Sequence, residues 1–380
     1  MQGPQTSKCI LIIAGETSGD HHGALLVRAM KRMRPDLFFC GIGGPEMRKA
    51  GVRIIVDAEK LSVVGITEVL SRIPDVLAGA AAVKRLIDAI LPDLVILIDF
   101  PDFNLRMAEY AKKRGLRVLY YISPQIWAWR SGRIETIRKF VDHMAVILPF
   151  EEEYYEKRGV RATFVGHPLL EHPEPNGPAE PDAGRPVLVG ILPGSRPGEV
   201  EKNLPAMLAA ASRISQKHQD VKFAVSAAPS IDPARIRHFV RPYESTLDIR
   251  IKPGNIRELL YRCSAVIAVS GTVTLDAAIC CVPMVIVYRV SPVSYFLGKT
   301  LIRVKHIGLV NIIAGERIVP ELIQYEASPD RIADTLSGMI ANPDRLSEIR
   351  EKLAGVRKKL AGPGASGKTA EIAFSLMDEK

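Results

Sequence analysis

The chain has 380 residues, 47% of them hydrophobic and 24% charged, with a net charge of +9. That length exceeds what one hydrophobic core usually organises, so two domains are expected, and the composition excludes a disordered, collagen-like or coiled-coil chain. The positive charge suits nucleic acid, anionic lipid or a phosphorylated substrate; without aromatic–basic interleaving or a helix-turn-helix or zinc-finger signature, nucleic acid is the weakest of the three.

In chain order, Cys9–Ala14 reads as a buried first strand, too short for a signal-peptide core, followed by a helix from Gly19 to Met33. Leu37–Gly41 is a second strand, Val76–Ile90 a helix and Leu94–Ile98 a wholly apolar strand. Phe103–Arg114 is a helix closed by Gly115; Arg117–Ile122 and His143–Leu148 are strands flanking a helix at Ile134–Phe140. Strands about 25 residues apart with helices between them mean βαβ units and a parallel sheet. Residues 171–186, EHPEPNGPAEPDAGRP, read as a linker. The pattern then restarts. Strands are expected at Val187–Leu192, Lys222–Ser226, Ala265–Val269 and Met284–Val290, and helices at Leu204–Gln216, Ile256–Tyr261, Thr274–Ile279, Pro329–Ile340 and Pro343–Leu360. The expectation is therefore an α/β chain of two doubly wound, Rossmann-like domains facing across a cleft. Residues 1–170 form the first and 187–380 the second, with the last helices candidates to pack back on the first. No stretch reaches the ~20 apolar residues that span a bilayer, so a cytoplasmic protein is expected. The five cysteines form no CxxC pair and read as buried free thiols.

Open parallel sheets bind ligands beyond the carboxyl ends of their strands. Six segments, and a companion to the last of them, carry candidate chemistry. Gly15-Glu16-Thr17-Ser18-Gly19-Asp20 follows the first strand: either Glu16 or backbone amides meet a substrate, or Ser18 or Asp20 simply caps the helix. Asp99-Phe100-Pro101-Asp102 ends the apolar strand. There Asp99 suits a general base of raised pKa, and Asp102 reads as a helix cap. Trp127 and Trp129 share one loop and together lean towards stacking on a sugar or meeting acyl chains, although for each taken singly core packing is the safer reading. Gly194-Ser195-Arg196 offers amides and a guanidinium to a diphosphate, against the plainer reading of a solvated turn. Gly271-Thr272 opens a helix whose free amides suit phosphate, with Asp276 expected in its first turn as a ribose acceptor or a dipole partner. Finally, the apolar and basic stretch Tyr288–His306, which includes Phe296, and the apolar run Leu61–Leu70, which includes Val64, read as lipid-facing or as ordinary amphipathic helix.

Taken together, GETSGD, LSVVGITEVL, IDFPDFN, YYISPQIWAWR, LPFEEEYY, FVGHP, ILPGSRPGEV, SGTVTLD and GLVNIIAGERIVPELIQ resemble, in order from Gly15 to Gln324, the motifs of the lipid-A-disaccharide synthase family. The resemblance implies a GT-B fold and an inverting glycosyltransferase with no metal and no cofactor. The implied donor is UDP-2,3-diacylglucosamine and the acceptor 2,3-diacylglucosamine 1-phosphate (lipid X), giving UDP and the β-1,6 disaccharide 1-phosphate precursor of lipid A. By motif, Asp99 is the implied base, with Glu16 beside it as a second catalytic candidate. Arg196, Asp276 and Asn311 resemble UDP contacts, joined by Gly194, Ser195, Gly271 and Thr272; Trp127, Trp129, Val64 and Phe296 are acceptor or lipid contacts. Asp276 stands where the family usually has Glu, one methylene longer, and GETSGD departs from the usual GEASGD. The implied location is the inner face of a Gram-negative inner membrane, held peripherally, with no nucleic-acid partner; a homodimer is one option for the oligomeric state. A non-reductive UDP-sugar epimerase of the same architecture is the rival reading.

Overall fold

The computed structural model describes residues 8–61, 66–171, 187–291, 295 and 305–379. The chain divides into two compact units, Met1–Glu171 with Leu360–Lys380, and His172–Lys359.

The first unit is built on seven strands: β1 (Cys9–Ala14), β2 (Phe38–Gly43), β3 (Arg53–Asp57), β4 (Leu94–Ile98), β5 (Val118–Tyr121), β6 (His143–Val146) and β7 (Ala162–Phe164). They lie in the order β3-β2-β1-β4-β5-β6-β7, all parallel. Successive side chains of a strand point to opposite faces, so a sheet covered on both sides needs apolar residues at every position. In β1, Ile10, Ile12 and Ala14 enter one core with helix Thr17–Met33, while Leu11 and Ile13 enter the other with helix Pro101–Lys112. The first core is closed by the last helix, Ala365–Asp378, through Ala370, Ala373 and Leu376. The end of the chain thus belongs to the first unit. Glu171, expected to start the linker, anchors this return by accepting from the Ser366 amide (2.7 Å) and hydroxyl (2.5 Å). Residues 172–186 of the expected linker lie outside the described residues.

The second unit repeats the plan with β8 (Leu188–Leu192), β9 (Lys222–Ala227), β10 (Ile249–Pro253), β11 (Ala265–Val269), β12 (Met284–Tyr288) and β13 (Glu321–Ile323), ordered β10-β9-β8-β11-β12-β13 and parallel throughout. In each sheet the strand order reverses beside the first strand, between β1 and β4 and between β8 and β11. Such reversal points open the crevice in which doubly wound sheets receive ligands.

Strand Leu94–Ile98, strand Ala265–Val269 and helices Ile134–Phe140, Pro329–Ile340 and Pro343–Leu360 fall where the periodicity places them. The helix expected from Leu204 begins instead at Pro197, whose fixed φ suits a first helical position, and it carries Pro205 inside. The edge strands β3 and β10 escape sequence reading because half-exposed strands lack a continuous apolar run.

Candidate functional site

In the first unit, β1 and β4 are neighbours with Ala14 beside Ile98, so Gly15–Glu16 and Asp99–Phe100 leave the sheet side by side. The chain must pass from a buried strand into helix Pro101–Lys112 within two residues. Asp99 and Phe100 do so with φ of 46° and 48°, the left-handed region that non-glycine residues rarely occupy. The turn is fixed by bonds to its carbonyls. Asn104 Nδ2 donates to Ile98 O (3.1 Å) and Asp99 O (2.7 Å), and the Tyr120 hydroxyl donates to the same Asp99 O at 2.6 Å. The Phe100 ring lies over Gly15, where an added Cβ would fall 2.3 Å from Cδ1. Ile122 and Arg130, on the loop after β5, also have positive φ. Strained backbone of this kind persists where surrounding structure over-determines it, and it gathers at functional sites.

Burial, and then the negative charge of Glu16, push the Asp99 carboxyl up to about 6, against a smaller opposing effect of the Phe100 amide. Glu16 is exposed; it occupies the cap position of helix Thr17–Met33 without a side-chain bond to it. Two expected caps are corrected. Ser18 and Asp20 are not the cap. The buried Asp20 carboxylate instead accepts from the amides of Gly44 (2.7 Å), Glu46 (2.9 Å) and Met47 (3.0 Å), closing the start of helix Pro45–Lys49. Asp102 lies inside the first turn of its helix, where Phe100 holds the cap position; its exposed carboxylate pairs with Arg130 (3.2 Å) and Arg133. That pairing leaves Asp99 as the desolvated carboxyl of the motif.

The two tryptophans differ. Trp129 is 43% exposed with the Arg130 guanidinium over its ring. Trp127 is half-buried, packs edge-on against Phe150 and donates from Nε1 to Glu151 Oε1 at 3.0 Å. Sequence reading missed Glu151. Its other oxygen accepts from Leu148 N (3.0 Å), and burial raises its carboxyl to about 7 against the opposing effect of those donors. Trp127 is therefore a pinned wall residue, and Trp129 the aromatic available to a ligand. Val64 and Phe296 lie outside the described residues.

In the second unit, the loops after β8 and β11 emerge at the reversal point, with Leu192 beside Ala268. Gly194 has φ 108°, a conformation that favours glycine, and a Cβ there would displace the Glu199 carboxylate, whose Oε2 would lie 2.6 Å away. Ser195 O accepts from the Ser230 hydroxyl at 2.7 Å. Arg196 holds the cap position of helix Pro197–Lys217, two-thirds exposed and 3.6 Å from Glu199. Gly271 is the cap position of helix Thr272–Ile279, and nothing lies within 4 Å of where its Cβ would be. The open backbone before that helix leaves its first amides accessible to an anion.

Two expected UDP contacts are placed differently. Asn311 is fully buried with every amide position used. Nδ2 donates to Val319 O (3.0 Å) and Glu321 Oε1 (2.7 Å), and Oδ1 accepts from the amides of Ile318 (2.9 Å) and Val319 (3.0 Å). Its side chain has no donor or acceptor left for a ligand. Asp276 lies beyond the first turn, buried, with its carboxylate 3.1 Å from Arg257 Nε. Burial raises its carboxyl and Arg257 opposes the rise. Removing one member of a buried pair strands the other, so Asp276→Ala is expected to lower stability by about 3 kcal/mol, measured by urea unfolding; an unchanged midpoint would show the pair to be idle. Glu321, also unforeseen, accepts from the amides of Ile307 (3.0 Å) and Gly308 (2.9 Å). The acid three residues before Gln324 in the last motif gave no sign of this, because the amides it serves lie 13 and 14 residues upstream.

Among the described residues no helix is long and apolar enough to cross a membrane. The chain is similar in fold to a glycotransferase and a putative epimerase of known structure. It superposes with a TM-score of 0.67 on the glycotransferase of kitacinnamycin (13% identity, 98% of this chain and 99% of that one). The TM-score is 0.66 on a putative UDP-N-acetylglucosamine 2-epimerase from Listeria monocytogenes (14% identity, 98% and 97%). Likeness at that identity shows the two-domain α/β fold of the GT-B kind and cannot separate transferase from epimerase. Sequence separates them. The chain is 46% identical to the lipid-A-disaccharide synthase of Geobacter sulfurreducens over 99% of both chains. A family model described as lipid-A-disaccharide synthetase matches residues 10–373, and with that match the chain belongs to the lipid-A-disaccharide synthase family.

Proposed function

We propose that this chain transfers diacylglucosamine from UDP-2,3-diacylglucosamine to the primary hydroxyl of 2,3-diacylglucosamine 1-phosphate with inversion, releasing UDP. The observation that carries the reading is family membership across residues 10–373. Asp99 serves as the base. Its carboxylate takes the hydroxyl proton as that oxygen attacks the anomeric carbon, and the bond to the diphosphate breaks with its electron pair leaving on UDP. A carboxyl raised to about 6 is ionised at neutral pH yet basic enough to share the proton in the transition state. Arg196, the turn Gly194–Ser195 and the amides at Gly271–Thr272 hold the diphosphate and stabilise its developing charge. Asp276 and Asn311 act indirectly, by holding Arg257 and the 318–319 turn. Trp129 contacts the acceptor or its acyl chains. Glu16 acts on Asp99 through its charge. The net charge of +9 draws the protein to anionic lipid, so it works peripherally at the cytoplasmic face of the inner membrane.

The test is a reaction of purified protein with both lipid substrates in mild detergent containing EDTA, followed by mass spectrometry for the disaccharide and by UDP release. Product in EDTA supports the transfer and its metal independence. A folded protein that makes none beside an active synthase, and instead interconverts a water-soluble UDP-sugar, would move the reading to the epimerase. For Arg196→Ala, loss of a charge-assisted bond predicts UDP binding weaker by about tenfold or more; unchanged affinity by calorimetry would remove Arg196 from the diphosphate site.

A further inference from the structure

We propose that Asn104 is the positioning residue for Asp99, a role that rests on Asp99 being the base. Two consecutive residues in the left-handed region do not hold that shape unaided. Their carbonyls are captured from inside the protein. One Asn104 amide donates to Ile98 O and Asp99 O together, the Tyr120 hydroxyl donates to Asp99 O, and the Asn104 backbone amide bonds Phe100 O at 3.0 Å. With its carbonyl turned inward, Asp99 has only its side chain to present beside the Gly15–Glu16 loop. The amide orientation is fixed, since the reverse would set Oδ1 against two carbonyl oxygens.

The asparagine satisfies these two carbonyls and leaves one atom of its own unmade. The side chain is fully buried, and its Oδ1 has no hydrogen-bond partner among the described residues. A buried acceptor left unmade is unfavourable, and a leucine of similar size would carry none. An asparagine kept despite that unmade bond is explained by the two carbonyls it holds.

The experiment compares Asn104→Leu, Tyr120→Phe and Asp99→Asn with the parent protein in the detergent assay from pH 5 to 9, with melting temperatures and calorimetric UDP affinities. Asn104→Leu is expected to lower kcat by on the order of 10²-fold, as a misplaced reacting group does. UDP affinity should change little, the melting temperature should fall with the loss of two bonds to buried carbonyls, and the acidic limb should move below its parent position as Asp99 relaxes towards solvent. Tyr120→Phe, which removes one donor from a different element, should move kcat and the limb the same way by a smaller factor; it decides the matter if Asn104→Leu does not fold. Parent-like kcat in both variants, with Asp99→Asn inactive, overturns the positioning role while leaving the base. A fall in kcat with an unmoved acidic limb also overturns it, since that is a structural defect that leaves the surroundings of Asp99 unchanged. Parent-like kcat in Asp99→Asn removes the base, and the positioning role with it.

Discussion

Asp99→Asn leaves a folded chain that binds UDP normally and turns over roughly 10²- to 10⁴-fold more slowly, the loss expected when a general base is removed. The same change makes the protein more stable at pH 8 and not at pH 4. The sign follows from the raised carboxyl. In the unfolded chain Asp99 loses its proton near the usual aspartate value, whereas in the fold it does so at about 6. Between those values the folded state binds more protons, so the favourable contribution of Asp99 is complete below pH 4 and is lost as pH rises through 6. At pH 8 the parent protein holds an ionised, desolvated carboxylate that Asn lacks. The difference is about 3 kcal/mol, the free energy that corresponds to a shift of that size. In the parent, kcat/KM should fall below about pH 6 as the base is protonated. Denaturation at the two pH values and a pH–rate profile check both halves. A variant that is inactive but no more stable at pH 8 than at pH 4 would show that Asp99 is not desolvated in the free protein. A gain in stability with activity intact would show a desolvated carboxyl without a catalytic task.

How far the sequence foretells this arrangement depends on where each partner lies along the chain. Strand β4 is apolar at every position because both sheet faces are covered, and that alone identifies a buried parallel strand with Asp99 at its carboxyl end. The position of the candidate phosphate loops is legible for the same reason, since Gly194 and Gly271 follow strands of the same kind. What is not legible is which partner a polar side chain takes. Asp20 stands in the helix it was expected to cap and instead closes a different helix, 24 to 27 residues away. Asp102 looks like a cap because it follows Pro101, yet the cap position is Phe100, and the arginines that hold Asp102 lie 28 and 31 residues on. Asn311 looks like a ligand contact because it stands in a motif, and its four bonds show why a motif residue can be wholly structural. Local periodicity encodes burial and direction; long-range polar pairing depends on the strand order, which no single segment contains.

The strand order also joins two motifs 85 residues apart, and Gly15→Ala tests that junction. Gly15 has no unusual φ, so alanine is conformationally acceptable there, and the obstacle is the Phe100 ring alone, with three atoms within 2.3 to 2.7 Å of the new Cβ. The ring cannot simply swing aside. It stacks on Phe103 at 5.3 Å between centroids, and its own residue caps helix Pro101–Lys112 in a left-handed conformation. The cheaper escape is for the Asp99–Phe100 turn to lift away from β1, carrying the carboxylate with it. Overpacking of this kind is worth about 1–3 kcal/mol in stability, whereas displacing the base by about an ångström lowers kcat on the order of 10²-fold. UDP affinity, which is proposed to reside in the second unit, should be unchanged. The decisive measurement is a double-mutant cycle with Phe100→Ala, since the two positions share one contact and their effects should not add. Removing the ring makes room for the methyl, so the double variant should lose far less than the sum of the single losses in kcat. Additive losses would mean that Gly15 and Phe100 serve the reaction separately, and that the close approach of β1 and β4 does not set the position of Asp99.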